Sequence, residues 1–201
     1  MGAGNSRTRL GRAAAGASGR YPPCKRSDFI YAMKKENWFS RMFSGPARDE
    51  QILSPLTGQV IPIESVADPT FSGKVLGDGV AVIPEEGRLY APADGTVENL
   101  MDTGHALGIV TKGLQAELLI HVGRDTVSLQ GQHFTLHVRE GDTVKAGQLL
   151  MEFDMSAIGE LGFDLTTPVI VCNSSDFDLV KCGSKQVAPG DVLLTLTRKQ
   201  N

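Results

Sequence analysis

Four histidines, at positions 105, 121, 133 and 137, are the side chains of this 201-residue sequence best suited to chemistry near neutral pH. A free imidazole titrates near pH ~6.5, so at pH 7 it is mostly neutral and one ring nitrogen keeps a lone pair. His121 closes the apolar run Glu117-Leu118-Leu119-Ile120 and precedes Val122-Gly123-Arg124-Asp125. A strand ending in His-x-Gly sets an imidazole at a rim, half in an apolar wall, beside pliable backbone. His105 follows the turn-like Asp102-Thr103-Gly104 and precedes another apolar run, Ala106–Val110. Two histidines at neighbouring strand ends can face each other across a shallow site. Phosphoryl acceptance is one chemistry that suits such a pair. One ring nitrogen attacks, the other is held by an acceptor such as a backbone carbonyl, and a second donor offsets charge on the phosphoryl oxygens. Isolated, hydrogen-bonded histidines are the commoner finding, so spacing alone leaves both readings open. His133 and His137 read as surface or core-edge residues with no catalytic role. Asp94, Asp142 and Asp191 each adjoin a glycine, and turn chemistry accounts for them.

The elements that must position these residues are short. From Ile52 onward the chain is a series of apolar runs of a few residues, such as Val80-Ala81-Val82-Ile83, Leu118-Leu119-Ile120, Val169-Ile170-Val171 and Val192-Leu193-Leu194. Gly, Pro and Asp separate them, which is the pattern of strands in an all-β sandwich or barrel. Helical spacing is weak except near Met155–Leu161, which reads as one short turn. Internal echoes add a second layer. Ser54-Pro55-Leu56-Thr57-Gly58-Gln59-Val60 returns as Ala91-Pro92-Ala93-Asp94-Gly95-Thr96-Val97. Val144-Lys145-Ala146-Gly147-Gln148-Leu149-Leu150 returns as Val187-Ala188-Pro189-Gly190-Asp191-Val192-Leu193. The expected fold is therefore a sandwich-like β-barrel of duplicated strand–turn units with short helical turns. The echoes are too few for a solenoid.

Charge divides the chain. Residues 1–50 hold ten Lys or Arg against four Asp or Glu, a balance of +6, whereas residues 51–201 stand at −9. An acidic body argues against nucleic acid as a partner. The three cysteines, Cys24, Cys172 and Cys182, lack metal-like spacing and read as buried or incidental thiols in a reducing compartment. No apolar run reaches the roughly 18–20 residues of a membrane span. Residues 1–49 are expected to form a flexible basic tail and residues 50–201 the folded domain. Met1–Ser6 fits a loose myristoylation pattern, the Arg-rich acid-free leader fits a transit peptide, and Met33 is an alternative natural start. Within 33–44, Trp38, Phe39, Met42 and Phe43 recur at helical spacing beside Lys34, Lys35 and Arg41. That suits an amphipathic helix, lying either on an anionic membrane surface or on the protein's own core.

The run His121-Val122-Gly123-Arg124-Asp125-Thr126-Val127-Ser128-Leu129-Gln130-Gly131-Gln132-His133-Phe134 resembles the active-site signature of glucose-type enzyme IIA domains. These are components of the bacterial phosphoenolpyruvate-dependent sugar phosphotransferase system. Thr103-Gly104-His105-Ala106, Phe71–Ala81 and Leu165-Thr166-Thr167-Pro168-Val169 resemble further segments of that family, in order, and the likeness covers about residues 50–198. The resemblance implies a cytoplasmic phosphocarrier whose His121 accepts phosphate on Nε2 from the phosphocarrier protein HPr. It implies that His105 hydrogen-bonds the phosphoryl group, that Thr103 orients His105 and that Asp125 shapes the local field. It maps Phe71, Met101, Leu119 and Val127 onto an apolar collar that meets partner proteins, and it makes the IIB domain of a sugar permease the acceptor. Arg124 departs from the family, where an aliphatic residue is commoner.

Other functions compete for the same residues. Glu140–Leu150 looks like the latter half of a lipoyl or biotinyl carrier, but no hairpin presents a suitable lysine. His121 and Asp125 satisfy the His-x-x-x-Asp spacing of LytM-type zinc peptidases, yet the chain has no His-x-His element. With two clustered histidines, His105 and His121, zinc is expected only weakly or at a partner interface. No cofactor is required. A regulatory module that binds permeases or enzymes according to its phosphorylation state is the remaining alternative.

Overall fold

The computed structural model describes residues 49–183 and 185–200, together with Met1. The expectations placed on residues 2–48, namely the basic tail, the 33–44 helix, the Met33 start and the two N-terminal targeting patterns, lie outside the described residues. The strands are β1 (Asp49–Leu53), β2 (Gly58–Pro62), β3 (Asp78–Pro84), β4 (Arg88–Tyr90), β5 (Gly95–Leu100), β6 (Ala106–Thr111) and β7 (Glu117–His121). They continue with β8 (Phe134–Leu136), β9 (Thr143–Val144), β10 (Leu149–Phe153), β11 (Thr167–Val171), β12 (Phe177–Lys181), β13 (Gln186–Val187) and β14 (Val192–Arg198). Among the described residues the only α-helices are α1 (Pro69–Ser72) and α2 (Met155–Glu160), so the all-β expectation holds. The α2 turn falls where the helical spacing placed it, with Asp154 capping it by accepting from the Ala157 N–H.

Eight strands form one antiparallel sheet in the order β13-β2-β3-β11-β7-β6-β5-β9. Two three-stranded sheets, β1-β14-β12 and β4-β10-β8, complete the sandwich. Side chains alternate across each strand, and in the centre of the large sheet both faces are apolar. Val80 and Val82 of β3, Leu118 and Ile120 of β7, and Val169 and Val171 of β11 enter the main core with Ile52, Leu89, Leu150, Phe177 and Leu194 from the small sheets. Ala81, Leu119 and Ile170 point the other way, onto a second cluster with Ile63, Val66 and Phe71. His121, two residues after Leu119, belongs by alternation to this second face.

The echoes correspond to a structural duplication. Gly58 of β2 pairs with Val187 of β13, and Gly95 of β5 pairs with Val144 of β9, its counterpart. The Ser54 N–H bonds to the Asp191 carbonyl, and the Ala91 N–H bonds to the equivalent Gln148 carbonyl. The two units also interlock, since the Leu53 N–H bonds to Pro92 O and the Tyr90 N–H to Pro55 O, at 2.8 and 2.9 Å. The turn acids act as expected: Asp142 and Asp191 accept from the backbone N–H three residues before each, and Asp94 from Ala146. Of the described thiols, Cys172 is exposed and Cys182 is half-buried against the main core, while Cys24 lies outside the described residues.

Two glycines give opposite expectations. A Cβ at Gly79 in β3 would lie 2.0 Å from the Val169 carbonyl of β11, whereas one at Gly159 in α2 meets nothing within 4 Å. Gly79→Ala is expected to destabilise by about 2 kcal/mol or more. Gly159→Ala should stabilise by roughly 0.5–1 kcal/mol, through helix propensity and a less flexible unfolded chain. Thermal unfolding of the two variants beside the parent measures both.

Candidate functional site

Strand pairing brings the two histidines together. In the β6–β7 ladder Ala106 lies opposite His121, and the Val122 N–H bonds to the His105 carbonyl at 2.7 Å. Their rings meet edge to face, with centroids 4.8 Å apart and planes at 79°. His105 is buried, with 5% of its surface exposed. His121 packs its other side against Phe71, at a centroid distance of 5.4 Å. Of the two readings that spacing left open, the structure has the histidines paired.

Each ring is held through Nδ1. His121 Nδ1 lies 2.7 Å from the Gly123 carbonyl. A carbonyl only accepts, so the ring proton sits on Nδ1 and Nε2 keeps its lone pair. Gly123 has φ +73°, and a Cβ there would fall 2.8 Å from the Asp164 carbonyl, so glycine alone turns its carbonyl back onto the ring. His105 Nδ1 lies 2.6 Å from Thr103 Oγ1. Gly104, at φ +66°, makes the turn between them, its N–H closing onto the Met101 carbonyl at 2.7 Å.

Burial lowers the proton affinity of both rings. It brings the His105 pKa down to about 4, with the neighbouring His121 pushing in the same direction. His121 is also lowered by burial, and the Gly123 hydrogen bond and the carboxylates of Asp68 and Asp125 partly offset that. Asp68 is a group the sequence reading passes over. It caps α1 by accepting from the Thr70 N–H, and the Asp-Pro pair opening this helix was the available signal.

The four collar residues are placed differently. Phe71 is buried against His121 and Leu119 half-buried beside it in the second cluster, while Met101 and Val127 are 52% and 53% exposed. Val75 and Leu76, which the sequence reading did not single out, are also exposed just after α1. Arg124 is half-exposed, and its Nε lies 3.6 Å from Asp125. His137 is paired with Glu152 at 2.8 Å on the outer face of the β8–β10 ladder. An open groove of about 620 Å³ lined by Arg88, His133, Thr135 and Glu152 shares no residue with the histidine pair. Among the described residues no three His, Cys, Asp or Glu side chains gather as metal ligands, and His105 and His121 supply two nitrogens where catalytic zinc uses three protein ligands. Nor is any described helix long and apolar enough to cross a membrane.

Residues 50–177 match the family model for the phosphoenolpyruvate-dependent sugar phosphotransferase system, EIIA 1. A beta-glucoside-specific EIIBCA component from Dickeya chrysanthemi is 52% identical over 74% of this chain, which corresponds to 23% of that protein. The chain thus spans about a quarter of the length of such relatives. A glucose-specific EIIA component from Oceanobacillus iheyensis is 42% identical over 71% of this chain and 88% of its own length. Among solved structures, the glucose permease IIA from Mycoplasma capricolum superposes with a TM-score of 0.69 at 33% identity, over 74% of this chain and 96% of that one. Fold, histidine pair and sequence agree, and the chain belongs to the EIIA 1 family of the phosphoenolpyruvate-dependent sugar phosphotransferase system.

Proposed function

We propose that residues 50–201 act as a phosphocarrier in which His121 takes a phosphoryl group from the phosphohistidine of HPr and passes it to the IIB domain of a sugar permease. The observation that supports this best is the Nδ1 contact to the Gly123 carbonyl, which leaves the Nε2 lone pair free beside His105. The His121 Nε2 lone pair forms the new N–P bond as the donor's N–P bond breaks, and the donor nitrogen keeps that electron pair. The His121 Nδ1 proton stays on the ring throughout, donated to the Gly123 carbonyl. Thr103 donating its hydroxyl proton to His105 Nδ1 puts the His105 ring proton on Nε2, where it serves the phosphoryl oxygens. Onward transfer to a cysteine thiolate of IIB reverses the bond changes at His121. Asp125 and Asp68 sustain the basicity of His121 against burial.

A beta-glucoside-specific EIIBCA component is 52% identical to this chain over the matched region and a glucose-specific EIIA component 42%, so a IIB domain of the first type is the first acceptor to test. Phe71, Leu119, Met101 and Val127 form the docking collar. Zinc, if held by His105 and His121, needs a third ligand from a partner and enters no transfer step. HPr and IIB both act in the cytoplasm, which locates this domain there, with residues 33–44 available for membrane-surface contact. Regulatory binding adds to this role, because a phosphate of about −1.5 to −2 charge at an apolar rim reverses which partners the rim accepts.

Incubation with phosphoenolpyruvate, enzyme I and HPr, followed by intact mass at alkaline pH, tests the carrier role. One phosphate is expected on the parent and on His105→Gln, and none on His121→Ala. His105→Gln should discharge to IIB at least about 100-fold more slowly, the scale of one lost transition-state donor. An uncharged parent with matched partners sinks the reading.

The depressed imidazole pKa values set a pH window. Below about pH 6.5 the unfolded chain takes up protons that folded His105 refuses until about pH 4. Stability relative to His105→Gln should therefore be level above pH 7 and fall by on the order of 3 kcal/mol between pH 6.5 and 4. Denaturant titrations of both proteins across that range measure it. Acceptance of phosphate should likewise be level above pH 7, since His121 is already neutral there.

A further inference from the structure

The loop carrying Phe71 is tied down by a network of charges at its far side. Lys74 adopts a left-handed conformation at φ +56°, its N–H closing onto the Phe71 carbonyl at 2.9 Å. From there its ammonium reaches Glu64 Oε1, in the 3-10 turn Ile63–Ser65 before α1, at 2.7 Å. It also reaches Asp78, the first residue of β3 after the loop, at 3.3 Å. Asp78 is held in turn by Lys181 Nζ of β12 at 2.6 Å, and its N–H donates to Ser174 Oγ at 3.1 Å. One ammonium thus bridges the two ends of the segment 64–78, which bears Asp68, Phe71, Val75 and Leu76.

We propose that Lys74 is a positioning residue for partner docking, its bridge between Glu64 and Asp78 holding the Phe71 loop in the conformation that meets the phosphoryl donor. This rests on the phosphocarrier reading above. Apart from the buried ring of Phe71, the Asp68 cap and local backbone hydrogen bonds, it is this bridge that orders the loop. Its helix α1 is a single turn, and Val75 and Leu76 lie exposed. Binding that had to order such a loop would lose affinity to conformational entropy, and a pre-set loop avoids that loss. The network is electrostatically consistent. The hydrogen bond between Lys74 and Glu64 lifts the lysine pKa and lowers the carboxyl's. At Asp78 burial opposes ionisation, but the Lys181 and Gly79 N–H hydrogen bonds and the two ammonium charges outweigh it. Because the pairs are half-exposed, each contributes little to global stability, so loop order separates experimentally from folding.

Steady-state transfer from phosphorylated HPr and amide hydrogen exchange, both on the full chain, test this with Lys74→Met, Lys74→Arg and Glu64→Gln. Lys74→Met and Glu64→Gln should each raise KM about threefold to tenfold with kcat within about twofold, the scale of one or two half-exposed ion pairs. Both should speed exchange over residues 69–77, and Lys74→Arg should restore both readings. The two charge-removing variants shift net charge in opposite directions. If long-range attraction were the cause, KM would move in opposite senses, and that outcome overturns the proposal. Unchanged KM and exchange in Lys74→Met also overturns it. A parent that takes no phosphate defeats the carrier reading instead. The exchange data then decide alone: faster exchange supports the tether and unchanged exchange removes it.

Discussion

A single hydrogen bond, from His121 Nδ1 to the Gly123 carbonyl, is the contact on which the chemistry of this surface turns. It selects one tautomer of two and thereby decides which nitrogen keeps its lone pair. Its donor ends β7, and its acceptor lies in a bend that would strain any residue with a Cβ, with the Asp164 carbonyl 2.8 Å from where that atom would sit. The same carbonyl of Asp164 accepts from the Arg124 N–H, so the chain before β11 clamps the bend from outside. An apolar strand, a glycine and a distant loop therefore converge on one proton.

The large sheet supplies the rigidity that such a contact needs. Alternation along β3, β7 and β11 divides the apolar side chains between two clusters, and His121 emerges at the edge of the smaller one with Phe71 against its ring. His105 is fixed from the adjacent strand by backbone pairing, and its buried ring is satisfied by Thr103. Ladder geometry sets the two backbone positions and the Nδ1 hydrogen bonds set the rings, and together they give the 4.8 Å separation.

Much of this was legible in the sequence because the signals were local. The His-x-Gly ending of an apolar run placed His121 at a rim, the turn before Ala106 placed His105, and the repeated Pro and Gly positions announced a duplication later seen in the equivalent pairs Gly58–Val187 and Gly95–Val144. What escaped was tertiary or very short. The helix α1 has four residues, too few for periodicity, although Asp68-Pro69 marked its start. The effect of Asp68 on His121 crosses some 50 residues of chain, and the link from Asp78 to Lys181 crosses 103, distances over which no pattern in one sequence reports a contact. The collar was carried over as a ring of equals, yet Phe71 is buried in a satellite core whereas Met101 and Val127 stand in solvent. Burial depends on neighbours that the residue type does not name.

The interlocked duplication also governs how the domain can be made. Each unit borrows backbone partners from the other, Leu53 from Pro92 and Tyr90 from Pro55, and the first strand pairs with the last, Asp49 opposite Thr197. No half of the chain can close its own sheet. Contacts this remote in sequence make for slow, all-or-none folding. During synthesis, the domain must wait for β14 to leave the ribosome before β1 has its partner. Until then the nascent chain exposes apolar strand edges, and it is in that interval that it is most in need of a chaperone.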